Sequence, residues 1–198
     1  MRKIVSSENT TQRMVCYELS SQEFLACKRA AVQVASVRSR WASNKQSQWA
    51  KGMHGSRSLS TLIGFVGEVA MWNILSSHFR TIPRYNIDVD YGVKSQDFVW
   101  KTPVGEKHEV KTTIAAPDGD LNYLRTDAVE NSDVFWFMSM RDTNVPEVYM
   151  RGWCTRQQVK DRSTIKHGKG NWSNYVIETE RLNTVGSFLQ FKNPRRHS

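Results

Sequence analysis

Asp97-Phe98-Val99-Trp100-Lys101-Thr102-Pro103-Val104-Gly105-Glu106-Lys107-His108-Glu109-Val110-Lys111-Thr112-Thr113 is the stretch that decides how this chain is expected to fold. Two short strand-like segments flank a turn at Pro103 and Gly105. Between them they carry an Asp and a Glu-x-Lys, the residue types that hold a divalent cation beside a phosphate. Strand side chains alternate faces, so hairpin register determines whether they point together. A turn centred on Pro103 sets Asp97 across from Glu109, and one centred on Val104 sets it across from Lys111. Either register puts Asp97, Glu109 and Lys111 on one face and His108, Val110 and Thr112 on the other. A centre between those two residues separates them.

Around this hairpin the 198 residues suit one globular domain with enough length to bury a core. The expected division is a basic helical extension over 1–58, a core over 59–155 and C-terminal elements over 156–198. Hydrophobic residues make up 39% and aromatics 11% of the chain, which disfavours wholesale disorder. Twenty-eight Lys and Arg against 19 Asp and Glu give a formal charge of +9 and a pI near 9.6, so charge favours a polyanionic partner. Nucleic acid leads and an anionic membrane comes second. No apolar run is read as approaching the roughly 20 residues of a membrane helix, and Met1-Arg2-Lys3-Ile4-Val5 lacks a signal-peptide core. A soluble, cytoplasmic protein without a membrane partner is therefore expected. Cys16, Cys27 and Cys154 are widely spaced with no Cys-x-x-Cys, so buried reduced thiols are expected.

In chain order, residues 1–19 are polar and aperiodic, loose or a short edge element. Ser20-Ser21-Gln22-Glu23 offers a capping box, and Phe24, Cys27, Ala31, Val34, Ala35, Arg38 and Trp41 recur at helical spacing, which predicts a helix over 21–42. Lys28, Arg29, Arg38, Arg40, Lys45 and Lys51 decorate it and the segment after it. They form a candidate phosphate-contacting arm, or a solvated face. A loop is expected over 43–58 and a core helix over 59–77. Residues 78–96 contain an alternating segment, Tyr85 to Asp90, ending in a turn; Asp88 and Asp90 share one face. Beyond the hairpin, 114–132 reads as turn-rich with a short helix near 127–131. Val134 to Met140 suits a strand covered on both faces, Glu147 to Trp153 a further strand, and Thr155-x-x-Gln158 caps a short helix over 156–162. Lys166 to Trp172, with Lys166 and Lys169, reads as a basic glycine-rich loop fit to touch phosphate. Asn174 to Glu178 predicts another strand, and the tail from Lys192 is basic.

Glu68 stands in the middle of the predicted core helix, stacked with Gly64, Phe65, Met71 and Trp72. A buried unpaired carboxylate costs several kcal/mol, so Glu68 needs a cation, a hydrogen-bonding partner or a shifted pKa. Gly64 and Gly67 each cost about 1 kcal/mol in a helix, a cost accepted where a backbone or ligand must come close. The bland alternative for Glu68 is a helix-edge residue paired to an Arg.

The order Gly67-Glu68-Val69-Ala70 on a helix, then Asp97-Phe98, then Glu109-Val110-Lys111-Thr112-Thr113, then Asp133-Val134-Phe135-Trp136-Phe137, resembles the PD-(D/E)xK nuclease superfamily. That superfamily includes restriction endonucleases, junction resolvases and many phage nucleases. The resemblance spans roughly 59–155 and takes in the strand to Arg151-Gly152-Trp153. It implies an α/β fold with a central mixed β-sheet flanked by helices, a restriction-endonuclease-like core, here with an extra N-terminal helix. Carried over residue by residue, it makes Asp97 and Glu109 ligands of Mg2+, with Mn2+ able to substitute. Lys111 then sits by the attacking water, and Glu68 is the helix-borne acid that completes the site. Gln96 stands where the family has its Pro. Asp90, also followed by an aromatic residue and a turn, competes for the role of Asp97. Phosphodiester hydrolysis needs a hard cation with oxygen ligands and a positioned water, which agrees with this set.

The expected function is a metal-dependent endonuclease that hydrolyses DNA, acting as a homodimer where two strands are cut. One alternative is a non-catalytic nucleic-acid-binding protein on the same fold, and a third reading, an RNA-directed nuclease, is disfavoured only by the resemblance. The five histidines form no metal-ligand spacing, no nucleophile elbow occurs, and neither the P-loop nor the dinucleotide fingerprint is present.

Overall fold

The computed structural model describes residues 14–41, 57–79, 98–99, 105–115, 121–167 and 173–192. Its elements run in the order β1 (Val15–Glu18), α1 (Ser21–Trp41), α2 (Arg57–Ser76), β2 (Phe98–Val99), β3 (Lys107–Ile114), β4 (Leu121–Arg125) and α3 (Thr126–Asn131). There follow β5 (Val134–Met140), β6 (Glu147–Thr155), α4 (Arg156–Arg162), β7 (Thr164–His167), β8 (Ser173–Glu178), a 3-10 turn over Thr179–Arg181 and α5 (Val185–Lys192).

Local chemistry starts two of the helices. At α1 the Ser20 hydroxyl accepts from the Glu23 amide at 3.2 Å while the Ser20 amide donates to the Glu23 carboxylate at 2.8 Å. At α4 the Gln158 amide donates to Thr155 Oγ1 at 3.2 Å and the Thr155 amide donates to Gln158 Oε1 at 3.0 Å. Both are capping boxes at the expected positions, each satisfying two amides that the first helical turn leaves unpaired.

The larger sheet is mixed, in the order β1-β6-β5-β3-β2. β5 runs parallel to β3, and the other pairings are antiparallel. β5 is buried at every position, as its continuous apolar run predicts. Its even-numbered residues, Val134, Trp136, Met138 and Met140, join a cluster with α1, α2 and Phe188 of α5. Phe135 and Phe137 join a second cluster with Leu124, Val129, Cys154, Val159 and Ile177. Helices α1, α2 and α5 thus cover one face. A three-stranded antiparallel sheet, β4-β8-β7, covers the other together with α3 and α4.

Four expectations require correction. Leu121–Arg125 is a strand, whereas the turn residues Pro117 to Asp120 just before it led to a turn-rich reading of 114–132; the short helix after it is present. Lys166 lies in a strand, because 164–167 pairs with β8, and not in a loop. A second sheet and the helix α5 were not anticipated. Finally, Leu59–Ser76 is by length and composition apolar enough to cross a membrane, with a mean hydropathy of 1.4. In the fold this helix is a core element, its Val66, Ala70 and Leu75 fully buried against α1 and the sheet.

Two glycines mark close approaches. A Cβ on Gly67 would lie 1.7 Å from Thr112 Oγ1, so the bare backbone lets α2 settle onto β3. Gly64 has nothing within 4 Å of its missing Cβ and plays no such part. Gly152 has φ +157° and a Cβ there would meet the Asn183 carbonyl at 2.7 Å. It follows the bulged Arg151, where the β5-β6 register shifts, and Trp153 next to it bridges to Asn183.

Candidate active site on β3

β3 is fixed along its length before it presents any chemistry. At its start the Lys107 amide donates to Asp133 Oδ2 at 2.9 Å, the Asp133 amide donates to the Lys107 carbonyl at 2.8 Å, and Arg156 donates to Asp133 Oδ1 at 2.8 Å. His108 is wholly buried. Trp136 Nε1, which can only donate, gives its proton to His108 Nδ1 at 3.0 Å. The neutral ring proton therefore sits on Nε2, which faces Glu106 Oε2 at 3.0 Å. Val110 is buried in the larger cluster and Thr112 meets Gly67. These even-numbered residues hold the face under α2.

Alternation turns Glu109 and Lys111 to the opposite face. Glu109 is largely buried, with 12% of its side chain exposed, and Lys111 is 38% exposed. The Lys111 ammonium is in direct contact with Glu109 Oε1. The two strand residues expected to act together are thus brought together on the expected face.

The β2-β3 register pairs Phe98 with His108 and Val99 with Lys107. This is the register of a hairpin centred on residue 103, the first of the two that were expected. Asp97, and Asp88 and Asp90 with it, lie outside the described residues. Past His108 the β2 side of β3 carries no strand among the described residues.

Glu68 is half-buried on α2, next to the Gly67–Thr112 contact. Its helix covers the face opposite Glu109 and Lys111, so the described residues do not bring Glu68 together with that pair. Its charge is also felt at α1: burial first, then Glu23 and Glu68, push the Cys27 thiol up to about 12. Among the described residues no three His, Cys, Asp or Glu side chains gather into a metal-binding group.

The basic residues divide between layers. Lys28 and Arg29 are exposed on α1, with the Lys28 ammonium 4.4 Å from the Phe24 ring centroid, and α1 packs on the α2 side of the sheet. Lys166 is exposed on β7, in the layer that covers the face of Glu109 and Lys111. Arg38 and Arg40 belong to the backbone of α1 but their side chains lie outside the described residues, as do Lys45, Lys51 and Lys169. What sequence reasoning missed is the support of β3: Asp133, Arg156, and the His108–Trp136 pair. The alternation of His108 with Val110 in one strand was the available signal for that pair's burial.

Comparison with protein-family models, curated proteins and solved structures returns no match to this chain.

Proposed function

We propose that this chain is a metal-dependent endonuclease acting on DNA, with Glu109, Lys111, Asp97 and Glu68 as its catalytic set. The observation that carries the reading is the Glu109–Lys111 contact on a braced strand that β2 pairs through Phe98–His108 and Val99–Lys107. A strand, β2, antiparallel to β3 on one side and β5 parallel to it on the other support a restriction-endonuclease-like core. The donor chemistry fits a hard cation: carboxylate oxygens, that of Glu109 largely buried. Asp97, Glu109 and Glu68 would hold Mg2+ or Mn2+. When bound, that ion stabilises charge on the phosphate under attack. Lys111 orients the water nucleophile and, as a cation, offsets charge at the phosphate oxygens. The charge of +9 supplies the attraction for a polyanion, and cutting both strands calls for a homodimer.

A second reading is favoured by the same contact, since Lys111 already neutralises Glu109 without a metal. On that reading the protein binds nucleic acid and does not cut it. Incubation with plasmid, branched and single-stranded DNA, with and without Mg2+, separates the two. The nuclease predicts Mg2+-dependent cleavage that Glu109→Ala and Lys111→Ala each reduce by about 100-fold or more. Cleavage at the wild-type rate by either variant would refute the mechanism, and absence of cleavage with salt-sensitive binding would establish the second reading.

A further inference from the structure

We propose that the outer face of the β4-β8-β7 sheet is a platform for single-stranded nucleic acid, with a base stacked on Tyr123 and phosphates met by Lys166 and Arg125. The proposal rests on nucleic acid being the partner, and it adds the surface and the strandedness of what is bound.

β4 sorts its side chains cleanly. Asn122 and Leu124 turn inward and are buried, while Leu121 and Tyr123 turn outward and are 38% and 52% exposed. Tyr123 stands opposite Val176 of β8, which its neighbours on that face already cover. In the next row Asn174 pairs with Arg125 on one side and Lys166 on the other. The two cations therefore flank an amide at about 10 Å, two strand spacings, beside the ring.

Charge on this face favours an anion. Glu178, the acidic residue pointing outward, is engaged by Arg181 at 2.9 Å. Arg125 is held by Asp127 at 2.8 Å but remains 61% exposed, and an exposed pair of this kind yields readily to a phosphate. Lys166 has no carboxylate partner among the described residues. An aromatic ring flanked by cations binds unpaired bases through their π-faces, which a duplex keeps stacked inside.

Size separates this occupant from a second copy of the chain. Three strands of about five residues offer roughly 10 by 17 Å, far below the ~800 Å2 per partner that a stable protein interface buries. A sheet face of this order suits two or three bases.

The test is fluorescence anisotropy of a labelled oligothymidine 12-mer with the full chain in EDTA, where no metal-dependent cut can occur. Tyr123→Ala should weaken binding about tenfold and Tyr123→Phe by less than about twofold, because the ring and not the hydroxyl stacks. Lys166→Ala should flatten the salt dependence by about one unit of slope. A duplex of equal length should bind Tyr123→Ala and wild type alike. The proposal is overturned if Tyr123→Ala binds the 12-mer as wild type does, or if it loses single and double strands equally. It is also overturned if sedimentation shows that the substitution splits a dimer. Cleavage by Lys111→Ala is measured separately, so loss of the platform and loss of the nuclease reading are distinct results.

Discussion

Gly67 and Thr112 are a single fit between α2 and β3, and they sit one residue from Glu68 and Lys111 respectively. Thr112 Oγ1 is buried with no hydrogen-bond partner, filling the space that a Cβ at 67 would need. Gly67→Ala should therefore cost about 1–3 kcal/mol, read as a lower urea midpoint with an unchanged slope, by forcing the helix off the strand. Adding Thr112→Ala should recover part of that loss, since the hydroxyl and methyl at 1.7 and 3.1 Å are then gone and only the Cβ at 2.9 Å remains. Of the two glycines that sequence reasoning marked as close approaches, one is such a contact and the other faces open space. Composition alone shows that a helix tolerates glycine; only the neighbour across the gap shows why.

At the level of elements, α5 closes the larger cluster. Phe188 is fully buried, with its ring 4.5 Å from that of Trp136, 4.9 Å from Trp153, 6.1 Å from His108 and 6.2 Å from Phe79. Trp153 Nε1 donates to the Thr184 carbonyl at 2.9 Å, tying β6 to the start of the same helix. Phe188→Ala should destabilise the protein by about 3–5 kcal/mol in chemical denaturation, and it should loosen the packing around His108 that braces the site strand. This helix was not legible in the sequence because eight residues are too few for a helical period to rise above chance. Its stability comes from the aromatic socket, assembled from residues up to 109 positions away, Phe79 to Phe188. β4 escaped for the opposite reason: its alternation is clear, but five residues after Pro117-Asp118-Gly119-Asp120 read as the tail of a turn. By contrast the capping boxes at Ser20 and Thr155 and the apolar run of β5 carry their signal locally, and all three were read correctly. Glu109 and Lys111 were legible for the same reason, since strand alternation fixes their shared face. Whether α2 stood on that face was a matter of tertiary packing, and it covers the other one.

For the molecule as a whole, all three thiols are free and buried, Cys27 in the apolar layer on one side of the sheet and Cys154 in that on the other. Burial holds Cys27 up at about 12 and Cys154 at about 11 against an ordinary 9.0. Unfolded, both thiols ionise near 9.0; folded, they keep their protons well above it. The unfolded state therefore binds fewer protons over that interval, and stability should be undiminished below pH 9 and fall as the pH climbs from about 9 towards about 12. Denaturant midpoints taken across that range in a reducing buffer measure the effect. Replacing Cys27 by Ala should flatten the decline, and an unchanged pH profile in that variant would assign the loss to other groups.

The pairing at the edge of the larger sheet also sets a schedule. Val15 of β1 lies against Met150 of β6, so the first strand has its partner only after 135 further residues are made (150 − 15). At translation rates of about 5–20 residues per second, that is a wait of roughly 7–27 s. For that interval β1 is an unpaired strand, while α1 directly after it gains its cover earlier, once α2 is made at residue 76. An unpaired strand edge of this kind is open to pairing with another chain until β6 arrives.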